Sequence, residues 1–70
     1  MWIRSQDKAT LTEVHKVDVT EFSEIYVNDF YFGEYSTKEK ALKVLDRIEE
    51  LIANQCGLTF YMPADEDVIV

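Results

Sequence analysis

Few residues in this 70-residue chain have the type and spacing to do chemistry. His15 is the first. With Glu13 two positions away on the same face of a strand, it would serve as a general base or a ligand. It has no second histidine, no positioned nucleophile and no glycine-rich loop to work with, so the favoured reading is a surface histidine on an alternating strand. Cys56 falls in the last turn of a helix. Reactive thiols prefer helix N-termini or cationic neighbours, and Asn54-Gln55 and Gly57-Leu58 offer neither, so it reads as a half-buried structural cysteine. Glu49-Glu50 and Asp65-Glu66-Asp67 lack the spaced oxygens and sharp glycine turn of a calcium loop. One cysteine and one histidine cannot make a four-ligand zinc site. The chain is therefore expected to be non-enzymatic, with no catalytic residue, no metal and no cofactor.

The aromatics say more. Phe30 and Phe32 share one strand parity; Tyr31 takes the other, as Tyr26 does against Ile25 and Val27. A single helix covers one face of a sheet. If the phenylalanines lie under it, Tyr26 and Tyr31, with Tyr61 on a later strand, point to the open face. Tyrosines there suit a protein interface, pairing large apolar area with a polar tip; the alternative is a solvent face, since antiparallel sheets often show one side to water. Glu21, Glu24 and Asp29 lie in the same half of the chain and complete a candidate interface for a basic partner.

The elements that position these residues follow from the pattern. Trp2-Ile3-Arg4 is a short extended piece. Ser5-Gln6-Asp7-Lys8 is a turn, because Ser and Asp side chains bond nearby backbone. Leu11 to Phe22 reads as one long strand rich in β-branched residues, whose alternation slips between Val14 and Val17; a bulge or bend near His15-Lys16 repairs it. Asn28-Asp29 suits a two-residue hairpin, since both tolerate positive φ. Gly33 marks a bulge or a close backbone approach. Ser36 as N-cap with Glu39 three residues later is a capping box. It opens a helix whose stripe is Ala41, Leu42, Leu45, Ile48 and Ile52, widened by Val44 and Leu51, with Glu39 and Lys43 at the favourable spacing. Gly57 is a left-handed cap, Leu58 to Met62 a last strand, and Pro63 its end. The order β-β-β-β-α-β predicts a small two-layer α+β domain over residues 1–63, one mainly antiparallel sheet packed by one helix. Residues 64–70 form an acidic C-terminal tail, with Val68-Ile69-Val70 either loose or docked.

Bulk composition narrows the class. A chain this short buries only about 60% of its unfolded surface, so association or dense aromatic packing must supplement the core. At 47% hydrophobic and 13% aromatic, the composition suits both. Fourteen acidic against seven basic side chains leave a net charge of −7. Residues 1–36 carry seven acids and three bases, residues 37–56 four of each, and Asp65-Glu66-Asp67 three more acids. Such a chain repels nucleic-acid phosphates and anionic membranes, and attracts basic protein surfaces; net charge also serves simple solubility. The polar start lacks the apolar core of a secretion signal, no run approaches a membrane span, and a lone cysteine fits a reducing compartment. A cytoplasmic location is expected.

The opening Met1-Trp2-Ile3-Arg4-Ser5-Gln6-Asp7, the segment Gly33-Glu34-Tyr35-Ser36-Thr37 with Ala41, Val44-Leu45-Asp46 and Ile48, and the closing Tyr61-Met62-Pro63 resemble a group of small proteins encoded in phages and prophages of Gram-positive bacteria. The resemblance spans nearly the whole chain and brings no catalytic residue with it. It implies an accessory phage product that binds a host or phage protein, defence systems of the anti-CRISPR target type included. The acidic first half and tail depart from the more mixed charge expected of the group, through drift or through specialisation for a basic partner. Two other readings stay open: a homo-oligomeric structural domain, and a small-ligand sponge or sensor with a pocket between protomers.

Overall fold

Asn28 and Asp29 take φ of 52° and 70°. That is the paired left-handed geometry a two-residue hairpin demands, and these residue types adopt it at low cost. The turn joins β4 (Glu24–Val27) to β5 (Phe30–Glu34). The computed structural model, which describes residues 1–54 and 59–70, places six strands and one helix in a small α+β domain. Besides β4 and β5 these are β1 (Trp2–Arg4), β2 (Leu11–Glu13), β3 (Val17–Val19), α1 (Lys38–Ala53) and β6 (Thr59–Tyr61).

The expected α+β class and single helix are present. The strands, however, form two three-stranded sheets rather than one, in the orders β2-β1-β6 and β3-β4-β5. Among the described residues only the β1–β6 pairing is parallel. The reason lies where the alternation slips. The stretch expected to be one strand from Leu11 to Phe22 leaves the first sheet after Glu13 and enters the second at Val17. The Asn28 side chain holds this crossing. Its Oδ1 accepts from the His15 and Lys16 backbone N–H groups at 2.8 and 3.0 Å, and its Nδ2 donates to the Glu13 carbonyl at 2.7 Å. His15 therefore stands in the crossing and not on a strand. Glu21 and Phe22 belong to the next turn, where Ser23 has φ 64° and its N–H reaches the Thr20 carbonyl.

Gln6 joins the sheets at the other end. Its backbone N–H donates to the Phe32 carbonyl at 2.9 Å, and its side-chain Oε1 accepts from the Glu34 N–H at 3.0 Å, so one residue closes part of the β5 edge. Gly33 makes room for it. A Cβ there would lie 2.7 Å from the Gln6 Cβ and 2.8 Å from its Oε1, so the glycine is required by space. The Ser5–Lys8 turn forms as expected: the Ser5 hydroxyl donates to Asp7 at 2.6 Å, and Asp7 accepts from the Ala9 N–H.

The helix begins one residue later than its sequence signature. Thr37, not Ser36, is the N-cap, its hydroxyl accepting from the Lys40 N–H at 3.1 Å. Ser36 is held outside, its N–H donating to the Asp65 carboxylate at 2.7 Å. Glu39 thus falls at the second helical position, too early to close a capping box. The buried stripe is Ala41, Val44 and Ile48, while Leu42 and Ile52 are exposed. These three pack with Ile3, Ile25, Val27, Phe32, Tyr35 and Met62 into one core. Phe30, expected beneath the helix with Phe32, is 70% exposed at the hairpin end. The Gly57 cap and Cys56 lie outside the described residues. Asp65–Asp67, expected in the tail, form a single 3-10 turn, tied through Asp65 to Ser36 and to the Lys40 ammonium at 3.4 Å; Val68 packs against the core.

Candidate protein-binding face

Tyr26 and Tyr31 meet through the register of the two-residue hairpin, which pairs Val27 with Phe30 and Tyr26 with Tyr31. In the β4–β5 ladder Ile25 faces Gly33, but Tyr26 faces Tyr31, leaving Phe32 as an extra residue. The bulge shifts parity beyond that pair and sets Glu34 opposite Glu24. Phe32 turns into the core, 2% exposed, and Tyr31 turns outward. The two phenol rings meet edge to face, with centroids 5.9 Å apart and planes at 84°. This is a favoured aromatic geometry.

Carboxylates surround the pair. Across β4, Asp18 lies directly opposite Tyr26. Two residues along β4 on the same face stands Glu24, and opposite it on β5 stands Glu34. The row continues past the strand end through Thr20, whose hydroxyl bonds Glu24 at 3.3 Å. Partial burial, then the Glu34 and Glu24 carboxylates, push the Tyr31 phenol above its ordinary value, because each disfavours a second negative charge nearby. Among the described residues neither Glu24 nor Glu34 makes an ion pair; Lys16 bridges Asp18 at 3.5 Å and Asp29 at 3.2 Å. One end of this face thus carries unneutralised negative charge beside two aromatic rings.

The six expected interface residues do not all converge. Tyr26, Tyr31 and Glu24 share this face. Glu21 is exposed in the Thr20–Ser23 turn, beyond the Glu24 end. Asp29 lies in the hairpin turn at the opposite end, engaged with Lys16. Tyr61 stands on the other sheet, next to Arg4 in register, with Leu11 on the far side of Arg4. Asp18 and Glu34 belong to the face but were not singled out from sequence. Asp18 is recoverable from the hairpin register around Asn28-Asp29, whereas Glu34 depends on the bulge. Trp2, Leu11 and Tyr61, 45%, 54% and 62% exposed, make a second open surface. Its signal was the alternation of Trp2 and Arg4 around the buried Ile3.

The remaining candidates for chemistry stand apart. His15 is exposed and held through its backbone. Among the described residues no group of three or more His, Cys, Asp or Glu side chains could hold a metal ion, and no helix is long and apolar enough to cross a membrane. The chain matches no family model, no curated protein and no solved structure.

Proposed function

We propose that the chain is a non-enzymatic binding protein that docks a basic protein surface on its Tyr26–Tyr31 face, with Glu24, Glu34 and Asp18 supplying charge. The observation that carries this reading is the edge-to-face pair of an exposed Tyr31 and a half-buried Tyr26 beside two carboxylates that make no ion pair among the described residues. Rings give contact area at low entropic cost, and the carboxylates steer and orient a cationic partner. In the setting its phage-like sequence features imply, the partner is a host or phage protein in the host cytoplasm. A concrete version is a nucleic-acid-processing or CRISPR-type effector, whose phosphate channel the carboxylates would occupy in place of nucleic acid.

The experiment is capture of partners from host lysate with the wild-type chain and with the Tyr26→Ala/Tyr31→Ala variant. Retention of a basic protein by the first and its loss by the second is the expected result. Equal capture by both removes the tyrosine face from the account. Homo-oligomerisation is a second reading, favoured by the Trp2, Leu11 and Tyr61 surface. Sedimentation tests it, and a strict monomer at high micromolar concentration eliminates it.

A further inference from the structure

β6 ends its sheet, because the order β2-β1-β6 leaves it one neighbour. Its Met62 N–H side reaches back to the Arg4 carbonyl at 3.2 Å. Alternation along a paired strand then turns the backbone groups of Thr59 and Tyr61 the other way, to the free edge. Among the described residues no backbone hydrogen bond outside the sheet ladders involves either residue.

A cleft of about 260 Å³ lies along this strand. It touches both Phe60, which packs toward the core, and Tyr61, which points outward. A cavity that reaches both sides of one strand sits at that strand's edge, and the other edge is filled by β1. Val44 and Val68 give the cleft an apolar lining. Lys43 and Arg47, one helical turn apart, add two cations to the lining from the helix, and Asp67 adds one carboxylate from the 3-10 turn. Arg47 leans on Glu50 at 3.0 Å, while Lys43 makes no ion pair among the described residues. In a chain of net charge −7 the cleft's charged lining is thus net positive.

We infer that the free edge of β6 takes up an extended acidic–apolar peptide segment from another protein. The segment adds a strand through the Thr59 and Tyr61 backbone, seats one apolar side chain in the cleft, and lays a neighbouring carboxylate against Lys43 and Arg47. Strand addition of this kind draws affinity from main-chain hydrogen bonds and specificity from a side-chain pocket. The cleft falls below the usual size for a drug-sized ligand, about 300 Å³ and upward, and fits a single side chain. Asp67, also in the lining, repels a carboxylate placed beside it and leaves Lys43 and Arg47 as the seat for one. This site is separate from the tyrosine face and selects the opposite charge.

The probe is a blocked peptide, acetyl-Glu-Val-Phe-Val-Glu-amide, titrated into the ¹⁵N-labelled full chain. Saturable shifts of the Thr59 and Tyr61 amides are expected, and the Tyr26→Ala/Tyr31→Ala variant should bind it equally well. Lys43→Glu/Arg47→Glu should weaken binding about 5- to 10-fold, as expected for reversing two exposed charge contacts. Lys43→Gln/Arg47→Gln should lose less, and serves if the reversed variant fails to fold. The glutamine version of the peptide should also bind less well. Absence of edge-amide shifts at millimolar peptide overturns the inference, as does unchanged affinity in both Lys43/Arg47 variants. Concentration-dependent Tyr61 shifts without peptide also overturn it, since the edge would then be occupied by a second copy.

Discussion

Asn28 combines a left-handed backbone with a side chain that holds a chain crossing, and the two roles separate by substitution. Asn28→Gly keeps the positive φ and loses the amide bonds to Glu13, His15 and Lys16. It should destabilise by roughly 2 kcal/mol. Asn28→Ala strains the turn as well and should cost about 1 kcal/mol more. Urea midpoints at unchanged slope measure both, and a glycine variant as stable as wild type would show that the side chain contributes nothing. Tyr35 carries the clearest pH signature. It is buried, and its hydroxyl donates to the Pro63 carbonyl at 2.8 Å. Burial first, then the Asp65 charge, push its phenol up to about 12. A phenol that ionises later in the folded state than in the unfolded one holds its contribution below the unfolded value near 10, and loses it as pH rises toward 12. Phenolate absorbance should therefore show a last-titrating tyrosine, later than the raised Tyr31, that Tyr35→Phe removes. A titration complete near pH 10 in the folded protein contradicts this. The Asn28 turn was legible because residue type alone selects positive φ; its bonds to the crossing were not, because they join residues 12 to 15 positions apart.

The helix illustrates what a broad apolar stripe leaves open at the scale of one element. Ala41, Leu42, Val44, Leu45, Ile48, Leu51 and Ile52 span enough of its circumference for two centres to fit. The structure chooses Ala41, Val44 and Ile48, and turns Leu42 and Ile52 toward solvent. Ile48→Ala should cost about 2–5 kcal/mol by leaving a cavity, and Leu42→Ala well under 1 kcal/mol as a surface change. Thermal or urea unfolding distinguishes them, and equal losses would refute the observed register. The N-cap moved for a related reason: Ser36 and Thr37 both fit a cap by type, and Asp65, 29 residues away, decides between them. The β5 bulge is the same lesson for strands. Gly33 announced it, but which residue became the extra one depends on Phe32 filling the core.

For the molecule as a whole, the two sheets present different chemistry, one face acidic and the other balanced between Arg4 and Glu13. The β3-β4-β5 sheet presents the tyrosine pair with Asp18, Glu24 and Glu34, while the β2-β1-β6 sheet presents Trp2, Arg4, Leu11 and Tyr61. Composition foretold an acidic chain with exposed rings. It did not divide the rings between two faces, because the split of the long strand at His15-Lys16 makes two sheets from residues that read as one. That split separates Tyr61 from Tyr26 and Tyr31, and concentrates the expected interface on three of its six residues. The most direct test of an aromatic, acidic docking face is calorimetry on the captured basic partner across a salt series, with wild type and Glu24→Gln/Glu34→Gln. Affinity should fall steeply with salt for wild type, and less steeply from a weaker start for the variant. Affinity flat with salt and equal for both proteins would contradict the account.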